Sequence, residues 1–141
     1  MSATDPHPPH HAQTEPARPG PVAVVGRLVL ACLLGVAVGV IGTVAHRTEW
    51  ADLPSGLVLA LLLTTAAATL CRAWSGVGAL LACGAGWLVA VQVLAATGPG
   101  GDVLVPAQTV GYVWTYGGLV PFVLVAFLPR RWFSDPDPEP L

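Results

Sequence analysis

Leu28–Ala45 reads LVLACLLGVAVGVIGTVA, eighteen residues without a charge. As a helix it spans about 27 Å, close to the ~30 Å hydrocarbon core of a bilayer. The apolar region of a secretory leader is shorter, typically about 7–15 residues, and a long polar stretch precedes this run. A span is therefore expected here rather than a leader cleaved after Ala45. Three comparable runs follow. Leu53–Cys71 reads LPSGLVLALLLTTAAATLC, with Pro54 in the first turn, where its missing N–H costs little. Residues 77–97 contain VGALLACGAGWLVAVQVLAAT, and Gln108–Leu128 is the fourth run. Pro121 lies inside that last run and is expected to kink it.

Only Arg72, Ala73, Trp74, Ser75 and Gly76 separate the second and third runs, so those helices must be antiparallel neighbours. Gly98–Ala107, GPGGDVLVPA, reads as a loop. The expected fold is all-α: a four-helix transmembrane bundle, antiparallel, with spans at about 28–45, 53–71, 77–97 and 108–128. The membrane domain is residues 22–131. Residues 1–21 and 132–141, rich in Pro, His and acids, are expected to be disordered tails.

Composition points the same way. Of 141 residues, 54% are apolar and 10% charged. An ordinary soluble domain carries about 25% charged residues, so an independent water-soluble globule has too few charges to cover its surface. Disorder throughout is excluded by the hydrophobicity. The net charge of −2, with six Arg and no Lys, leaves no patch for nucleic acid. Lys and Asn are absent and Ile occurs once, a bias expected of a high-GC bacterial genome.

Arginines set the orientation. Four spans put both termini on one side, with Arg18, Arg27, Arg72, Arg130 and Arg131 there and only Arg47 opposite. Basic residues near span ends stay cytoplasmic, so both termini are expected in the cytoplasm of a cell-membrane protein. Trp50, Trp74, Trp132, Tyr112, Trp114 and Tyr116 then fall near the two interfaces, where amphipathic rings form belts. Cys32, Cys71 and Cys83 lie near cytoplasmic helix ends. An odd count without short spacing gives neither a disulfide framework nor a zinc pattern.

Small residues are expected to hold the helices together, because burial alone does not drive association in lipid. Gly35 and Gly39 form a GxxxG pair in the first span; Gly84 and Gly86 lie in the third. These helices pack either within one chain or between two. Gln92 is expected to bond between helices, and Thr64, Thr65 and Thr69 to bond back to helix carbonyls.

No Asp, Glu, Lys, Arg or His lies inside a span. Proton relays and coupling-ion sites need such groups, which argues against a proton-coupled exporter. Catalytic and phosphate-binding motifs are missing, so no enzyme activity and no cofactor or metal are expected. The polar residues that remain gather at the outer face: His46, Arg47, Glu49, Asp52, Asp102 and Gln108, with Tyr112 and Tyr116 below them. Glu49, Asp52, Asp102 and Tyr112 are the candidate cluster for a small ligand; the plainer reading is solvated loop ends. The His7, His10 and His11 group in the tail lacks a fixed further ligand.

LPSGLVLALLL (Leu53–Leu63), GWLVAVQVL (Gly86–Leu94), the GPGGDVLVPA loop and GYVWTYGG (Gly111–Gly118) together resemble a family of small four-helix membrane proteins from actinobacteria, known only as a domain of unknown function. The likeness covers roughly residues 25–128. That family's third outer loop is a Gly-containing acidic turn before a Gly–Tyr start to the last helix, which Asp102, Gly111, Tyr112 and the Gly117–Gly118 pair match. The resemblance implies topology, not mechanism. The expected role is structural or accessory, by helix contacts with a second copy or a membrane partner in the lipid bilayer. A transporter or channel subunit with a pore lined by Thr64, Thr65, Thr69 and Gln92 is the alternative. An enzyme working at the outer face through Asp102 is third.

Overall fold

The structure is a computed structural model that describes residues 20–49, 54–96 and 109–133. The two tails, the Gly98–Ala107 loop, Trp50, Asp52, Asp102 and Gln108 lie outside the described residues. Within them the fold is all-α, without a strand.

Helix α1 is Pro21–Ala45. Proline at its first position is pre-set for a helix and lacks only an N–H that would have been unpaired. It therefore starts well ahead of the uncharged run at Leu28. The chain leaves it through His46, whose N–H still bonds Gly42 O at 2.8 Å. Thr48 N–H then bonds Ala45 O, and Gly56 N–H bonds Thr48 O, both at 2.9 Å, tying the loop to the next helix.

The helical stretch Ser55–Ala95 is interrupted at Ser75 (φ −145°, ψ 17°) and Gly76 (φ 76°, ψ −158°). Helix α2 is residues 55–74 and α3 is residues 77–95. A straight helix of 41 residues would be about 60 Å long. Yet Gly56 lies against Ala45, and Gly35 and Gly39 lie against Cys83, Trp87 and Ala90. Both ends of Ser55–Ala95 thus meet α1 within its length, and the stretch folds back on itself at Ser75–Gly76. Helix α2 runs antiparallel to α1, and α3 runs parallel to it. The last apolar run is also divided. Helix α4 (Thr109–Gly117) and helix α5 (Val120–Phe127) meet at a turn, with Pro121 in the first turn of α5. A short 3-10 turn, Arg130–Phe133, ends the described chain.

The hairpin depends on Gly76. Its backbone occupies a region that is essentially glycine-only. A Cβ there would touch nothing within 4 Å, so any cost is purely conformational. Gly76→Ala is expected to lower stability by about 1–3 kcal/mol. Gly78→Ala, two residues on and meeting only Leu28 at ordinary contact distance, is expected to be neutral. Thermal melts of the two variants in mild detergent check this; equal midpoints would contradict it.

By length and composition, Pro21–Ala45 and Ser55–Ala95 are apolar enough to cross a membrane. Their side chains are distributed in an unusual way. The buried core holds Ala31, Ala60, Ala67, Ala68, Ala79, Cys71, Cys83, Trp87 and Trp114, and Leu80 is the one buried leucine among the described residues. Leu30, Leu33, Leu59, Leu62, Leu70, Leu81 and Leu124 all face outward.

Candidate functional site

Close approach of α1 and α3 creates the site. A Cβ on Gly35 would strike the backbone carbonyl of Cys83, and a Cβ on Gly86 would strike that of Cys32. The two glycines thus admit each other's helix backbone reciprocally. At Gly39 the nearest atoms would be Ala90 Cβ and Trp87 O, both at 2.9 Å. This seam lies within one chain, which answers the choice between intrachain and interchain packing for these residues. Gly84 lies off the seam. A Cβ there would meet only the ring of Phe122, at 3.4 Å, which is ordinary contact.

Two indoles fill the space beside the seam, and each is seated on a glycine. Trp114 of α4 covers Gly42, and Trp87 of α3 covers Gly118. Both tryptophans are fully buried. They meet edge to face, with centroids 5.4 Å apart and planes at 67°, a favoured aromatic geometry. Phe122 closes the far side, 5.9 Å from Trp87. Trp114 Nε1 donates to Thr43 Oγ1 at 3.1 Å. The His46 ring stacks on Trp114 at 5.9 Å and 13°. Its Nδ1 lies 2.6 Å from Thr43 O, which can only accept, so Nδ1 carries a proton. His46 Nε2 and Trp87 Nε1 are buried without a partner among the described residues.

The chemistry available is narrow. One imidazole nitrogen and one indole N–H are free, and no group of three or more His, Cys, Asp or Glu suitable for a metal occurs among the described residues. Cys32, Cys71 and Cys83 are free thiols packed between helices. The cluster joins α1, α3 and α4.

The model of a family of unknown function, DUF6113, matches residues 10–137. The chain belongs to DUF6113. No curated protein and no solved structure matches it. The resemblance to a domain of unknown function is thereby supported, whereas the match itself carries no source organism and no membrane placement.

Several residues of this DUF6113 chain stand elsewhere than the sequence reading put them. Gln92 is exposed and makes no side-chain hydrogen bond among the described residues, so it is not polar glue between α1 and α3. The helical register explains it. Trp87, Ala90 and Val91 face the core, and position 92 falls about 140° around the helix from position 87. Gln92→Leu is accordingly expected to leave the melting midpoint within the shift of about 0.5 kcal/mol typical of surface substitutions; a large loss would restore the interhelical bond. Trp114 is not part of an interfacial belt but the centre of the core. Tyr112 and Tyr116 are exposed and stacked on each other at 6.4 Å. His46 is not a solvated loop end; only 2% of it is exposed. Glu49 and Tyr112 of the proposed outer cluster are both exposed and have no described contact with each other. Asp52 and Asp102 lie outside the described residues. Thr64, Thr65 and Thr69 do donate to the carbonyls of Ala60, Leu61 and Thr65, each at 2.8 Å.

Two features escaped the sequence reading. Trp87 had no signal beyond its place in an apolar run. Arg72, read as part of the link between the second and third runs, is buried to 7% exposure, with its guanidinium 5.8 Å from the Phe133 ring centre.

Proposed function

We propose that this DUF6113 chain is a multi-pass protein of the cell membrane: a four-helix transmembrane bundle with both termini in the cytoplasm, serving as a structural or accessory component. The observation that carries this reading is the inverted distribution of side chains. Leucine, valine and isoleucine cover the outside of α1, α2, α3 and α5, while alanine, glycine, cysteine and threonine fill the inside. Monomeric soluble proteins rarely expose continuous apolar surface beyond a few hundred Å². In lipid the same surface is at home, and small residues inside let backbones approach. Helices α2 and α3, at 20 and 19 residues, are each about 30 Å long, matching the hydrocarbon core. The α4–α5 pair forms the fourth crossing, and its break at Gly118–Leu119 is covered by Trp87 rather than by lipid.

The protein acts by contact rather than by chemistry. The glycine seam is used up inside the chain, so association with a second copy or a membrane partner uses the outward faces, where Thr65 on α2 is exposed. The pore reading draws no support from the hydroxyls. All three threonines are bonded to their own helix, Thr64 faces the core, and Thr65 faces out. Cross-linking in native membranes followed by purification in mild detergent tests the proposal. A cross-linked homo-oligomer or a defined partner is expected. A strictly monomeric, partnerless species would contradict it, and solute leak in proteoliposomes would favour the pore.

A further inference from the structure

A groove of about 320 Å³ runs along the outside of the protein between α3 and α5. Leu80, Leu81, Gly84 and Leu88 line one wall, and Phe122 and Phe127 line the other. Its walls are almost wholly apolar. It extends from position 80 to position 88 of α3, about 12 Å along the axis, the length of part of an acyl chain. Leu81 and Phe127 are exposed, so it opens sideways, toward lipid in the membrane reading.

Arg72 lies at the end of the molecule where this groove begins. It is three residues before the Ser75–Gly76 turn, and Leu80 is four residues after it. Phe133, six residues beyond Phe127, lies over the Arg72 guanidinium. Arg72 Cζ lies 5.8 Å from that ring's centroid, and its Nε is buried without a hydrogen-bond partner among the described residues. Glu49, the one acid among the described residues, is at the opposite end, beyond α1. The in-plane edge of a guanidinium, Nε–H with an adjacent Nη–H, is a fork that binds a phosphate through two parallel hydrogen bonds.

We propose that the α3–α5 groove and Arg72 form one binding site for an anionic glycerophospholipid, with an acyl chain in the groove and the phosphate on the Arg72 edge. The inference rests on the membrane reading above. A second copy of this chain suits the site less well, because its described helices bring no acid to meet Arg72. Basic pockets between helices on the cytoplasmic side are the usual place for anionic headgroups.

The full chain is incorporated into nanodiscs containing equal parts phosphatidylglycerol and phosphatidylcholine, then transferred to mild detergent. Retained lipid is measured by native mass spectrometry. Phosphatidylglycerol is expected to be retained several-fold over phosphatidylcholine. Arg72→Gln is expected to lose that preference while still holding lipid. Ala85→Trp, a change at an exposed position in the groove wall, is expected to lose both lipids without lowering the melting midpoint. Neutralising the tail acids Asp135, Asp137 and Glu139 is expected to keep the preference. Equal retention of the two lipids overturns the site. So does a preference that rises on tail neutralisation, which makes the tail acids the partner that occupies Arg72, or full stabilisation by inorganic phosphate alone. Failure to enter nanodiscs would instead overturn the membrane reading.

Discussion

Gly35→Val unseats α1 from α3 and produces the largest loss of stability of any single substitution along the seam. A Cβ at position 35 would overlap Cys83 O and lie 2.8 Å from Cys83 C and 2.9 Å from Trp87 N. All three are backbone atoms of α3, so no rotamer change relieves the clash and a helix must move. Overpacking costs about 1–3 kcal/mol, occasionally more. The upper end applies here, because moving α1 also opens the contacts at Gly39 and Gly86. Gly86→Val is expected to behave alike, and the double variant to fall short of the sum, since both push the same pair of helices apart. Gly26→Val is the control: it is exposed, and a Cβ there meets nothing within 4 Å. Thermal melts in mild detergent separate these outcomes. A Gly35→Val midpoint equal to that of Gly26→Val would remove the seam from the account.

Trp114→Ala is expected to cost about 3–5 kcal/mol, the range seen when a buried aromatic is truncated. The indole contacts four partners: Gly42, Thr43, His46 and Trp87. Its removal leaves a cavity between α1, α3 and α4. In lipid the transfer contribution shrinks, but the lost packing contacts remain. Phenylalanine substitutions separate packing from hydrogen bonding. Trp114→Phe keeps most of the packing and loses the bond to Thr43, for about 0.5–1.5 kcal/mol. Trp87→Phe breaks no hydrogen bond seen in the structure, because Trp87 Nε1 has no partner among the described residues. Trp87→Phe should therefore cost less than Trp114→Phe of the same size change. Denaturant or thermal titrations of the three variants check the order; the reverse order would mean that the Thr43 bond contributes nothing.

The legibility of this molecule in its sequence followed physical lines. Helices were legible because long uncharged runs admit few alternatives, and the five residues Arg72–Gly76 stood out as too short a link for anything but a hairpin, though not that only Ser75 and Gly76 leave the helix. Gly35, Gly39 and Gly86 were legible as small residues at helical spacing. What they touch was not, because GxxxG reads the same within a chain and between chains. Gln92 misled because amide chemistry says only that a partner is wanted, while its position 140° from Trp87 depends on which face the fold buries. His46 and Trp114 looked like interfacial residues by type and place. Their burial rests on a tertiary contact, an indole over Gly42, that joins residues about seventy positions apart in sequence. Arg72 was invisible for the same reason: its cover is Phe133, near the far end of the chain.

The central claim, four crossings with the hairpin turn and both termini in the cytoplasm, is tested most directly by one set of alkaline phosphatase fusions. Fused after Glu49, Gly76, Gly101 and Leu141, the reporter is predicted to be active, inactive, active and inactive in that order. Activity at Gly76 or at Leu141, or the same signal at all four positions, would contradict the account.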